Sequence, residues 1–164
     1  MFDGLLLRKF LRGHARRIGY RSPATGYAAL VDETEYEYAH LSGAELVRAV
    51  HGSYIDWMGG RRVVGVMGRL GRLAPRAAAR ALTLATPQLF RWLVGPMKRT
   101  GRTELVVERC RFLTSTSPEI CLSICKGPTE TFFTDSLGIP TTLTPDFQRS
   151  TCDVSFTPSP RRPG

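Results

Sequence analysis

Cys110 to Cys152 reads CRFLTSTSPEICLSICKGPTETFFTDSLGIPTTLTPDFQRSTC and holds all four cysteines of the chain, spaced C-x10-C-x3-C-x26-C. Nowhere else do soft ligands, strand signals and helix signals lie so close together. Thiolate suits zinc, iron–sulfur clusters or copper(I). Cys121 and Cys125 stand four apart in ICLSIC, so a helix there puts both sulfurs on one face. Cys110 and Cys152 each sit in a β-like run. A metal site at Cys110, Cys121, Cys125 and Cys152 is one reason to bring these segments together. Buried core thiols and two disulfides are the other readings, since the x3 and x10 spacings match no common zinc knuckle.

The pattern upstream is helical, which sets the fold class as α+β. A mainly helical part (1–98) precedes a cysteine-rich part (103–157) with a small antiparallel two-stranded sheet, all within one domain, 1–157. Residues 158–164, the Pro/Arg tail, read as disordered. In order, helices are expected over Phe2–Ile18, Gly26–His40, Gly43–Met58 and Arg61–Leu73. Ser42 and Glu45 have the spacing of a capping box. Pro75 opens the next helix, and Pro87 opens a separate one over Gln88–Val94. Gly65, Gly68 and Gly71 each cost Arg61–Leu73 roughly 1 kcal/mol of helix propensity. Glu104–Leu113 alternates and reads as a strand paired with Cys152–Phe156. Short helices cover Glu119–Lys126 and Thr129–Leu137, broken at Gly127-Pro128, with Gly138 as the terminating residue. Leu143–Phe147 reads as a loop around Pro145.

The net charge of +9 lies wholly in the first hundred residues, with 16 Lys/Arg against 7 Asp/Glu, while 7 face 7 beyond them. Such a surface suits an anionic membrane. Nucleic acid is not expected, because no aromatics interleave with the arginines as a stacking platform needs. MFDGLLLRKF reads as neither secretory signal nor transit segment, and no apolar run is long enough to cross a membrane. No hydrolase or transferase signature occurs. His14, His40 and His51 are scattered without triad or metal spacing.

The runs RWLVGP (Arg91 to Pro96), ERCRFL, and CLSICKGPTETFFTDSLGIPTTLTPDF before a last cysteine resemble the strigolactone-pathway β-carotene isomerases, the Dwarf twenty-seven family. The N-terminal FD start and Gly-Tyr helix entry are similar in kind. Three features depart from the plant pattern: TSTSPEI lacks a further cysteine, RST replaces an acidic-aromatic triplet, and no transit segment is visible.

The resemblance implies an iron-dependent cis/trans isomerase that interconverts all-trans and 9-cis β-carotene or a related carotenoid, as in strigolactone precursor synthesis. It implies iron, mononuclear or as an iron–sulfur cluster, on Cys110, Cys121, Cys125 and Cys152. It also implies a plastid setting in a plant or alga, the cytoplasm otherwise, and peripheral contact with a membrane. Phe90, Trp92, Leu93 and Met97 are candidates to line a substrate channel. The alternative is a zinc- or iron–sulfur-stapled module that binds or transfers electrons without catalysis.

Overall fold

A computed structural model describes residues 2–157 of the chain. The expected disordered tail lies outside the described residues. Six helices come first: α1 (Phe2–Ile18), α2 (Tyr27–His40), α3 (Gly43–Trp57), α4 (Arg61–Leu73), α5 (Pro75–Leu89) and α6 (Arg91–Val94). Strands β1 (Met97–Arg99) and β2 (Glu104–Val107) follow, then the short α7 (Arg111–Ser115). A helical run continues from α8 (Pro118–Ile120) through a π-turn (Cys121–Lys126) and α9 (Gly127–Thr131) to a second π-turn (Phe132–Ser136). β3 (Thr142–Asp146) and β4 (Thr151–Ser155) end the described chain. The sheet is antiparallel, in the order β1-β2-β4-β3.

The expected strand pairing is present: β2 faces β4 with Val106 opposite Asp153 and Val107 opposite Cys152. The sheet is wider than expected, because β1 and β3 add its two edges. β3 occupies the stretch expected as a loop. Pro145 is tolerated there since an edge strand leaves one row of backbone groups outside the ladder. β2 is shorter than its alternating pattern. It stops at Val107, and Cys110 turns the chain into α7 instead of extending a strand. The Cys110 N–H donates to the Ser150 carbonyl at 2.7 Å, which ties this turn to the start of β4.

Two prolines and one serine behave differently from their sequence reading. Pro87 lies inside α5, near its end, where the missing N–H costs a single bond. The break falls instead at Phe90, whose φ of −114° leaves the helix. Pro128 likewise does not end its helix. Lys126 and Gly127 stay helical, and Gly127 has no Cβ to clash with the proline ring. The Gly127 N–H reaches back five residues to Leu122 O, a wide turn that moves the carbonyl a proline would strike. Ser42 takes the extended cap conformation, but its hydroxyl makes no cap bond. The Glu45 N–H goes to the Ser42 backbone carbonyl at 3.1 Å instead.

The core is one apolar cluster that joins both parts of the chain. α1 lies mainly against α3, and Phe10 meets Trp92 at 5.3 Å between ring centres. α4 is seated by its glycines. A Cβ on Gly68 would overlap the Ser136 carbonyl oxygen, and one on Gly71 the Leu137 carbonyl oxygen. Those glycines therefore offset their propensity cost by allowing backbone contact. Gly138, with φ of 69°, closes the run as expected.

Candidate functional site

A cavity of about 80 Å³ lies between α3, α5, α6, the end of the helical run and the sheet. That volume is below the roughly 300–1,000 Å³ of ligand pockets, so a long ligand would occupy it only in part. Its facing surface is apolar throughout. An aromatic chain forms much of the wall: Trp57–Phe90 at 5.2 Å, Phe90–Phe133 at 6.4 Å and Phe133–Phe156 at 6.0 Å. These rings come from α3, the break before α6, the second π-turn and the residue after β4. Of the residues expected to line a channel, Phe90, Leu93 and Met97 are in the wall. Trp92 is not. It is buried behind the cavity, between Phe10 and Trp57, with only 3% of its surface exposed. No local pattern marks Tyr54, Trp57 or Phe156 as cavity residues; they reach it only through tertiary packing.

Three of the four cysteines, Cys110, Cys125 and Cys152, stand in the same wall. Cys121 is buried just behind them. All four are free thiols, so the two-disulfide reading is not the folded state. Cys125 donates to Cys121, which raises the Cys125 pKa well above the usual thiol value and lowers that of Cys121. Burial adds to the rise at Cys125, and Lys126 favours the Cys121 thiolate. Burial pushes Cys110 up. Burial, then the neighbouring Cys110 and Cys121, push Cys152 up to about 12. Each sulfur is therefore close enough to feel the charge of others in the group. The π-turn that carries Cys121 and Cys125 is a rare geometry, found mostly at functional positions.

This donor set has the chemistry of a soft-metal site: four thiols, no hard oxygen ligands, and a dry surround. Among the described residues no three His, Cys, Asp or Glu side chains form a ready-made metal cage, so the thiols would have to close around an ion as it binds.

The helical run that bears two of these thiols is fixed to the sheet by one carboxylate. Glu130 accepts from Lys126 and from the Leu143 N–H, the latter at 2.7 Å. Lys126 also donates to the Leu143 carbonyl at 2.6 Å. On the other side His51 Nε2 lies 2.9 Å from the Pro128 carbonyl, and the Tyr54 hydroxyl 2.9 Å from Thr129 Oγ1. α3 therefore holds the run in place. Tyr54's burial raises its pKa, so its hydroxyl stays protonated and tied.

Comparison with known proteins now bears on this site. Residues 92–163 match the family model described as Beta-carotene isomerase D27-like, C-terminal. The match covers less than half of the chain. "Beta-carotene isomerase D27, chloroplastic" of Medicago truncatula is 24% identical over 170 residues, covering 97% of this chain and 66% of that protein. The Arabidopsis thaliana protein of the same name is 36% identical over 92 residues, covering 50% of this chain and 35% of its own. The chain thus spans less than two thirds of the length of either curated relative. No solved structure matches. The matched segment includes all four cysteines, yet it does not build the cavity alone. Tyr54, Trp57, Thr86 and Phe90 precede it and form the opposite wall.

Proposed function

We propose that the chain is a carotenoid cis/trans isomerase that seats one segment of a long polyene at the apolar cavity and uses iron bound by the cysteines beside it. The observation that carries this reading is the placement of Cys110, Cys125 and Cys152 in the wall of a cavity with no polar surface. Two relatives named as β-carotene isomerases support the substrate class.

The residues divide the work as follows. The Trp57, Phe90, Phe133 and Phe156 rings offer polarisable faces to a flat conjugated chain, and the gain is dispersion and water exclusion. No carboxylate, histidine, lysine or arginine lines the cavity among the described residues, and the thiols and Tyr54 that do are held protonated or kept for the metal. The Tyr54 hydroxyl is paired with Thr129 Oγ1 at 2.9 Å. Cys110, Cys121, Cys125 and Cys152 would hold the iron. Bound there, iron would supply reversible one-electron exchange, which lowers the order of one polyene double bond long enough for rotation. The plastid is the proposed location, from the relatives' names. No helix among the described residues is long and apolar enough to cross a membrane, so the polyene would be taken up by contact with a membrane surface.

The test is anaerobic purification, metal analysis, and all-trans/9-cis β-carotene exchange by wild type and Cys125→Ser. Serine keeps the size but is a poorer, harder ligand. Iron-loaded, active wild type beside a metal-poor, inactive variant is expected. Full iron and full exchange in the variant would overturn the metal assignment. Stoichiometric zinc with no exchange would overturn the function.

A further inference from the structure

We infer that the outer face of α4 is a docking surface for a bilayer that carries anionic lipid. Val63, Val66, Leu70 and Leu73 fall three and four residues apart, hence on one side of the helix. They are 43%, 56%, 59% and 82% exposed, an unusual concentration of bare large apolar side chains on one helix. The opposite side is fully engaged. Val64 is buried there, and Gly68 and Gly71 are pressed onto the backbone of Ser136 and Leu137. The helix cannot roll its apolar stripe inward without giving up those contacts.

Charge names the occupant. From residue 57 to residue 103 the chain has ten Lys/Arg and no Asp or Glu. Arg62 and Arg69 flank the stripe on the helical wheel, and both are exposed. Among the described residues neither pairs with a carboxylate. A helix with a bare apolar stripe edged by unpaired arginines fits the boundary between lipid headgroups and acyl chains. An acidic protein partner would satisfy the arginines but not a stripe of that length. The position is also apt: α4 packs on α5 and on the second π-turn, and both of these line the cavity. The inference rests on the proposed function only for the reason such a protein would visit lipid.

The experiment is co-sedimentation of the full chain with phosphatidylcholine vesicles, with and without phosphatidylglycerol, across a salt series. Wild type should bind the phosphatidylglycerol vesicles, and salt should weaken binding. The variant V66Q/L70Q/L73Q should lose on the order of a hundredfold in binding. Arg62→Gln with Arg69→Gln should lose on the order of tenfold and most of the preference for anionic vesicles. All these positions are exposed, so unfolding curves should match wild type. Equal binding to both vesicle types, or unaltered binding by the triple variant, would overturn the inference. So would a wild-type dimer that the triple variant turns to monomer by light scattering, which makes the stripe a self-association face. Isomerisation of carotenoid presented in detergent micelles should not change in the triple variant. Failure of that assay in every protein would count against the proposed function and leave the docking result standing.

Discussion

Gly71 and the carbonyl oxygen of Leu137 are in backbone contact, with no room between them for a methyl group. Gly71→Ala should therefore cost at least about 1–3 kcal/mol, because α4 must lift off the helical run. Gly65, fewer than two turns earlier on the same helix, has nothing within 4 Å of an added Cβ. Gly65→Ala should be stabilising by up to about 1 kcal/mol. Urea unfolding of both variants checks the pair. Equal effects in the same direction would show that α4 is not seated as described.

The buried pair His14 and Glu37 should give a pH signature. Ser53 donates to the Ala49 carbonyl at 2.9 Å, so its hydroxyl accepts from His14 Nδ1, 3.1 Å away. His14 Nε2 then faces Glu37 at 3.6 Å with a lone pair. Burial pushes Glu37 up to about 8 and His14 down to about 4, so both are neutral between those values. Glu37's share of stability is full below the ordinary 4.5 and is lost as pH rises through about 8. His14's share is full above the ordinary 6.5 and is lost as pH falls toward about 4. Between about pH 6.5 and 8 only the Glu37 loss operates, of order 2 kcal/mol. Glu37→Gln should flatten that decline. Parallel declines in wild type and variant would assign it elsewhere.

Removal of the Glu130 carboxylate should loosen the sheet edge before anything else. Glu130→Ala leaves the Leu143 N–H and Lys126 without their shared acceptor, at a cost of about 1–3 kcal/mol. Hydrogen exchange at the Leu143 amide should speed up more than at β2 amides. Uniform acceleration across the sheet would mean that Glu130 supports the whole fold and not this edge.

Filling the cavity should act on substrate size. Leu93→Trp adds volume to the wall and should lower exchange of β-carotene at least about tenfold, a loss comparable to other misplacements of a bound substrate. A shorter polyene should suffer less. An equal loss for both would point to damage to the fold, which a thermal melt would reveal.

How much was legible in the sequence depended on how local the cause was. α1 to α4 follow from periodicity and glycine stops, and the β2–β4 pairing from alternation near Val106 and Val154. Pro87 and Pro128 misled because proline's cost depends on where in a helix it falls and on which carbonyl it meets. β1 and β3 were missed because Met97–Arg99 and Thr142–Asp146 carry little alternation; they are strands because β2 and β4 offer them partners. The cavity was half visible. Phe90, Leu93 and Met97 sit in one apolar run, whereas Tyr54 and Trp57 on α3 and Phe156 past β4 meet them only after folding. Trp92 looks the same as its neighbours in sequence, and the turn of α6 sends it to the other side. His14 and Glu37 carry no signal of pairing, since their partnership needs α1 and α2 to be packed with Ser53 on α3.

The π-turn at Cys121–Lys126 makes length, more than identity, the constrained property of this segment. An i→i+5 turn is an α-turn with a residue to spare. Loss of any one residue there would let it close as α and swing everything beyond by about 100°. Phe132 and Phe133 would leave the cavity, and Cys125 would turn from Cys121, although every remaining side chain was unchanged. An in-frame codon deletion between Cys121 and Phe133 should therefore be as damaging as loss of a cysteine, whichever residue is removed.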